Sequence, residues 1–412
     1  MDLGDQSDEL NKDLYYLVLI ATASFTAENI VEPILPLHIM TTGASSLDAG
    51  AVVGMASLAA FLSRLPSGFV CRRIKFRTLV SAALLGESLS YLLYGLAPSY
   101  EWLFPVRVLW GVAGAVFMVT MAATISNMSP TEKIGWAIGT YLTSYGLGTM
   151  LGPLVCSVLL STFSYAHLMM SASLLPLAGF LMLNLRFGSR ALGDSCVGMT
   201  PSGQTSVGRE DFSLTRAFSE LLSVMSRRRV ALAGVLHFLF SVSITFLDTV
   251  FLVYVVTQLR LDPSVAMLML AVRGIANAVV RSPAGFISDR FGQKWPFVIS
   301  FGSLILSYVL LATSTDIWLM GLAMVILGAA WGVRVVLEWT ATQDEVPSAS
   351  KSIASSFLPL VWDVAHSTGA VAVGALALFV PMETIFLLCA GLMVAAVLVV
   401  LAFWPSGRIL RA

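Results

Sequence analysis

Long apolar stretches separated by short polar ones run along the whole chain. A helix needs about 20 apolar residues to cross the hydrocarbon core of a bilayer. Stretches of about that length lie near 14–40, 47–70, 78–97, 102–126, 134–160 and 165–187. After a polar interval, six more lie near 229–257, 264–287, 295–314, 317–340, 352–379 and 382–404. The pattern predicts an all-α integral membrane fold with twelve transmembrane helices, spans 1 to 12 below. It places six in residues 1–187 and six in 229–412, with 188–228 as a linker.

Charge turns the count into an orientation. If both termini face the cytoplasm, the inner segments hold 18 of the 24 Lys and Arg residues. The outer loops hold Arg260 alone. The other five (Arg64, Arg107, Arg273, Arg281 and Arg334) lie in spans or at their edges. This asymmetry is what the positive-inside rule requires, and a missing span would scramble it. The expected location is therefore the plasma membrane, multi-pass, with both termini cytoplasmic. The linker opens Gly/Ser-rich and then carries Phe212, Leu214, Phe218, Leu221, Leu222 and Met225 at helical spacing. A tether with an amphipathic helix on the inner surface is expected.

Composition narrows the class. Hydrophobic residues make up 57 % and charged residues 12 %, with mean hydropathy +0.85. A soluble domain carries roughly 25 % charged residues. The four cysteines, Cys71, Cys156, Cys196 and Cys389, form no metal-ligand or disulfide spacing. The four histidines stand far apart, and neither HExxH nor GxSxG occurs, so an enzyme and a metal site are not expected. Net charge is zero, which argues against nucleic acid. The acidic opening MDLGDQSDELNKD does not resemble a secretory signal.

The halves repeat at an offset of 217 residues. Arg64-Leu-Pro-Ser-Gly68 aligns with Arg281-Ser-Pro-Ala-Gly285, Arg73 with Arg290, Arg77 with Lys294, Gly111 with Gly328, Pro130 with Pro347 and Gly152 with Gly369. Two pseudo-symmetric six-helix bundles joined by a linker form a transporter architecture, with the substrate site expected near the midplane between the halves.

On these residues the chain resembles the major facilitator superfamily over essentially its whole length. Gly285-Phe-Ile-Ser-Asp289-Arg290-Phe-Gly292-Gln-Lys294 is similar to the family's loop signature G-x-x-x-D-R-x-G-R/Q-K. The family copy implies a charge-locked contact that holds one conformation. In the first-half copy, Gly68 to Arg77, Arg72 replaces the acid and Lys75 the second glycine. Arg107-Val-Leu-Trp-Gly111 resembles the span-4 motif, with Trp110 in place of the usual Gln. Gly148-Thr-Met-Leu-Gly152-Pro153 is similar to the span-5 antiporter motif G-x-x-x-G-P, and Pro33-Ile-Leu-Pro36-Leu-His38 to the end of span 1 in twelve-span drug:proton exporters.

Charges inside spans are costly, so each is a candidate. Glu28 and Glu32 lie one turn apart on span 1, with Arg107 at similar depth on span 4. The resemblance places these spans around the central cavity, so proton coupling, substrate binding or a static bridge are open roles. Asp363 and His366 share a face of span 11, Arg273 and Asn277 one of span 8, and an Asp363–Arg273 contact is sterically open. Asp248 lies toward the outer end of span 7. Arg334 and Glu338 form an i,i+4 pair on span 10, either self-neutralising or an inner gate. His237 suits hydrogen-bonded packing, and Arg64 and Arg281 suit snorkelling to the inner headgroups. Glu87 on span 3 has no partner visible in sequence.

The expectation is a secondary transporter working by alternating access: a proton-coupled antiporter exporting a hydrophobic or amphipathic small molecule, drawing on the proton gradient without a cofactor. The alternative is a facilitator or symporter for a polar metabolite such as an organic acid or sugar, held by Arg107, Arg273 and Arg334. Its partners would be the small-molecule substrate and the lipid bilayer, and a monomer is expected.

Overall fold

A computed structural model describes residues 3–129, 134–187, 219, 222–346 and 351–405. The side chains of 3–11, 69, 72, 134–136, 187, 282, 285–291 and 351–356 lie outside the description. The expected amphipathic helix of the linker falls almost wholly outside it, as do Pro130 and Pro347.

The described residues form helices joined by short turns, with no strand among them. The first half comprises α1 (Leu3–Thr41), α2 (Ser46–Arg73), α3 (Phe76–Leu96), α4 (Leu103–Met128), α5 (Ile134–Leu159), α6 (Tyr165–Ala172) and α7 (Leu174–Phe187). The second comprises α8 (Arg228–Thr257), α9 (Pro263–Phe291), α10 (Lys294–Thr313), α11 (Ile317–Asp344), α12 (Lys351–Leu376) and α13 (Met382–Phe403). The sixth span is broken at Ser173. Pro176 lacks an N–H, and its ring crowds the carbonyl four residues back, so the turn between α6 and α7 cannot stay regular.

Among the described residues, eleven helices are long and apolar enough to cross a membrane. The twelfth expected span is α12. Its 26 residues are long enough, but Asp363 and His366 at its centre lower its apolarity. Leu58, Val112, Leu181, Leu268, Val279 and Ile299 are exposed on these helices, a distribution suited to lipid as the outer solvent.

The chain packs as two compact units. One joins Met1–Ala44 with Met55–Gly208, the other Ser45–Gly54 with Arg209–Ala412. The second unit thus takes in the start of α2, where the Ser46 hydroxyl donates to the Gly374 carbonyl at 3.0 Å. In the first unit α1 packs on α5 and α7, and α3 on α4, α6 and α7; in the second α8 packs on α12 and α13, and α10 on α11 and α13. The first core gathers Leu17, Ile20, Phe25, Leu84, Phe117 and Met121. The second buries Phe240, Phe251, Tyr254, Phe297, Phe301 and Tyr308.

The 217-residue offset recurs in three dimensions. Adding it to the bounds of α5, Ile134–Leu159, gives those of α12, Lys351–Leu376. The tightest helix crossing in each unit is also the same one. A Cβ on Gly111 would lie 2.1 Å from the Ala56 carbonyl oxygen, and one on Gly328 would lie 2.1 Å from that of Arg273. Both glycines exist to let backbones touch.

Overpacking of this kind costs about 1–3 kcal/mol. Gly111→Ala and Gly328→Ala should each lower the thermal unfolding temperature of the detergent-purified protein. Gly391→Ala, where the space is open, should not.

Candidate functional site

The glycines of the span-5 motif hold α5 against the part of α1 that carries the acids. A Cβ on Gly148 would lie 2.6 Å from Phe25 Cβ, and one on Gly152 would lie 2.7 Å from the Asn29 carbonyl carbon. Pro153 follows, buried within α5. The equivalent Gly369 meets Thr245 more loosely, at 3.3 Å.

Of the two acids one turn apart, Arg107 takes Glu32. The contact is bidentate: Nη1 donates to Oε1, and Nη2 to Oε2 at 3.2 Å. The guanidinium is 1 % exposed and the carboxylate 25 %, so the acid is the member with an open side. Trp110, at the motif's usual Gln position, stands 5.0 Å from the Arg107 guanidinium by its ring, and its Nε1 donates to Tyr91 Oη at 2.9 Å. Tyr94 Oη accepts from Arg107 at 3.5 Å. Glu28 is half-buried and has no hydrogen bond or ion pair among the described residues. Glu87 has the partner the sequence did not reveal. Its Oε2 accepts the Ser24 hydroxyl at 2.5 Å, and the side chain is buried, facing α1.

The second unit holds a different arrangement. Arg273 pairs with Asp248 at 2.5 Å, not with Asp363, which is the expectation the structure corrects. Asp248 lies on the adjoining α8 and is 30 % exposed, so the pair closes without desolvating both groups. Asp363 is buried. Asn277 does not join Arg273; its Oδ1 accepts Arg281 Nε at 3.0 Å. His366 Nδ1 lies 2.7 Å from Thr245 Oγ1.

Arg334 and Glu338 do pair, and His237 joins them. Glu338 Oε2 accepts Arg334 Nη1 and lies 2.7 Å from His237 Nδ1. Arg334 and Glu338 are wholly buried. Arg334 Nε and Nη2 and Glu338 Oε1 have no hydrogen-bond partner, nor has Asn277 Nδ2. Aromatic rings surround the triad. Phe240 lies 3.6 Å from the Arg334 guanidinium, Trp331 and Trp362 stack at 6.2 Å, and Trp362 stacks on His366 at 5.0 Å. Arg273 lies 5.4 Å from the Trp331 ring. Nothing in the sequence beyond helical spacing marked these tryptophans.

At the 217-residue offset the units exchange chemistry. Where the first has Glu28, Glu32 and Arg107, the second has Thr245, Thr249 and Met324. Where the second has His237, Arg334 and Glu338, the first has the core residues Ile20, Phe117 and Met121.

The loop motif behaves differently at its two copies. Gly292 is left-handed at φ 75°, a backbone that favours glycine. Lys75 at the equivalent place is extended at φ −58°, so the Lys is unstrained because the first loop takes another path. Arg77 Nε donates to Asn184 Oδ1 at 2.9 Å, and Lys294 Nζ to the Leu401 carbonyl at 3.2 Å. These acceptors are themselves 217 residues apart, so each basic residue ties its helix to the last span of its own unit. Arg73 is exposed, and a Cβ at Gly68 meets open space. The side chains of Asp289 and Arg290, and the surroundings of Gly285, lie outside the described residues.

Known proteins resemble this chain in sequence and in fold. The sequence model of the Major Facilitator Superfamily matches residues 17–365 and 233–409. The multidrug resistance protein MdtG of Enterobacter lignolyticus (strain SCF1) is 28 % identical over 334 residues, spanning 77 % of this chain and 75 % of the relative. The class C tetracycline resistance protein of Escherichia coli is 26 % identical over 326 residues, spanning 77 % and 78 %. In fold, a bacterial homologue of the human lysosomal transporter Spinster superposes with a TM-score of 0.74 at 16 % identity, covering 95 % of each chain. The nucleoside transporter NupG superposes with a TM-score of 0.74 at 14 % identity, covering 96 % of this chain and 99 % of that one. With a family match that spans nearly the whole chain and a fold shared from end to end, the protein belongs to the Major Facilitator Superfamily and is a multi-pass membrane transporter.

Proposed function

We propose that the protein is a proton-coupled antiporter of the plasma membrane that exports hydrophobic or amphipathic small molecules by alternating access, with both termini cytoplasmic. The observation that carries this reading is the unequal pairing on α1: Arg107 neutralises Glu32, and Glu28 one turn away is left without a cation. A proton on Glu28 would supply the neutralisation that no described side chain supplies there, next to the Arg107–Glu32 pair that joins α1 to α4. The relatives named for multidrug and tetracycline resistance support export. The alternative, an organic anion held by arginines, is weakened because Arg107, Arg273 and Arg334 each have a carboxylate partner.

In the second unit the Trp331–Trp362 stack, edged by Arg273 and His366, offers flat polarisable faces to an aromatic substrate. The sealed Arg334–Glu338–His237 triad joins α8 to α11, and we assign it to holding that unit together.

Three outcomes test these assignments. Ethidium or tetracycline added to acid-loaded proteoliposomes should release protons, monitored by a pH dye, and Glu28→Gln with Glu32→Gln should abolish the release. Unchanged exchange in that double variant would remove both acids from the mechanism. Trp362→Ala should weaken ethidium binding, measured by fluorescence, by about threefold to tenfold, whereas Trp362→Phe retains most of it. Glu338→Gln leaves Arg334 buried without a full counter-charge, a change that costs about 3–5 kcal/mol. A clear drop in thermal stability is expected, and full stability with lost transport would reassign the triad to gating.

A further inference from the structure

Among the described residues of the first unit, Glu87 and Arg107 are buried and Glu28, Glu32 and Arg64 half-buried. Three carboxyl groups, Glu28, Glu32 and Glu87, face one guanidinium, Arg107, and that guanidinium is committed to Glu32 through both of its terminal nitrogens. Glu87 is 4 % exposed, and its described hydrogen-bond partner is the Ser24 hydroxyl at 2.5 Å. One hydroxyl does not offset the removal of a carboxylate from water, and a carboxyl in such surroundings takes up a proton.

The other charged and titratable groups around Glu87 do not supply the missing cation. From α1 come Glu28 and Glu32, both acids. On α3 itself Tyr91 Oη accepts from Trp110, and Tyr94 lies on Arg107. On α6, His167 is held by Ser164. On α7, Arg186 pairs with Asp13. From α5 Tyr141 lies within electrostatic reach of Glu87 and Glu28, with Arg64 of α2 reaching that tyrosine. Tyr141 is 2 % exposed, and its hydroxyl has no hydrogen-bond partner among the described residues.

We propose that Glu87 is a second proton-binding residue beside Glu28, so that the conformation described here holds two exchangeable protons in its first unit while Glu32 stays paired with Arg107. The inference rests on the antiport reading for its role in transport, but not for the protonation itself. No bond other than those to hydrogen changes. Two protons enter on Glu28 and Glu87 from the acidic side and leave as the same two protons on the other side. One neutral substrate exchanged for them moves two charges, and a monocation moves one.

Infrared spectroscopy of the purified full chain at neutral pH tests the protonation directly. In the carbonyl stretching region of protonated carboxylic acids, Glu87→Gln should remove one band and Glu28→Gln another. Ser24→Ala, which keeps the carboxyl and takes away its donor, should shift the Glu87 band without loss of area. A Glu87→Gln spectrum with no band lost, in protein that stays folded, overturns the proposal. If Glu87→Gln does not fold, a Ser24→Ala spectrum with no shift overturns it equally. In proteoliposomes the ratio of protons to ethidium should be two for the natural protein and one for Glu87→Gln, and a ratio that Glu87→Gln leaves unchanged excludes Glu87 from coupling. Absence of any ethidium–proton exchange in the natural protein would instead end the antiport reading and leave the infrared result standing.

Discussion

The Arg107 guanidinium cannot leave the interior of its unit and cannot be deprotonated there, so it must keep an anion beside it. Glu32 supplies that anion, with both carboxylate oxygens engaged. Trp110 and Tyr94 put aromatic surface and a phenol on the same guanidinium. Arg107 is spent on Glu32, and the hydrogen bonds and ion pairs described for Glu28 and Glu87 include no cation.

The pairing depends on helices that come very close together. Gly148 and Gly152 bring α5 onto α1, and Gly111 brings α4 onto the backbone of α2. The second unit repeats the crossing at Gly328 and loosens the one at Gly369. One skeleton therefore carries two chemistries. The first unit keeps an apolar core of Ile20, Phe117 and Met121 and places its charges on the α1 and α4 faces. The second places His237, Arg334 and Glu338 in that core and puts Thr245 and Thr249 where the acids would be. This division matches a transporter in which the two units need the same movement but not the same ligand.

Apolar run length was sufficient to read the helical membrane fold from the sequence, and the loop and span motifs its family. Each is a property of single segments: a bilayer tests a helix for length and apolarity, whatever it later packs against. The small-residue motifs were legible too, since a glycine in a span has few uses besides close approach. The candidate charges were visible because lipid makes them rare.

Which charge met which was decided only in three dimensions. Arg107 chose between acids one turn apart, Arg273 took Asp248 rather than Asp363, Asn277 took Arg281, and Glu87 found Ser24 63 residues earlier in the chain. Helix rotation and crossing set these contacts, and a rotation too small to alter hydropathy moves a side chain from one partner to another. The tryptophan stack was hidden for the same reason, since one aromatic residue per helix carries no sign of the ring it will face. Sequence alone determined the scaffold and the inventory of charges inside it; tertiary packing decided their pairing, because pairing is a matter of a few ångströms between segments that the chain keeps far apart.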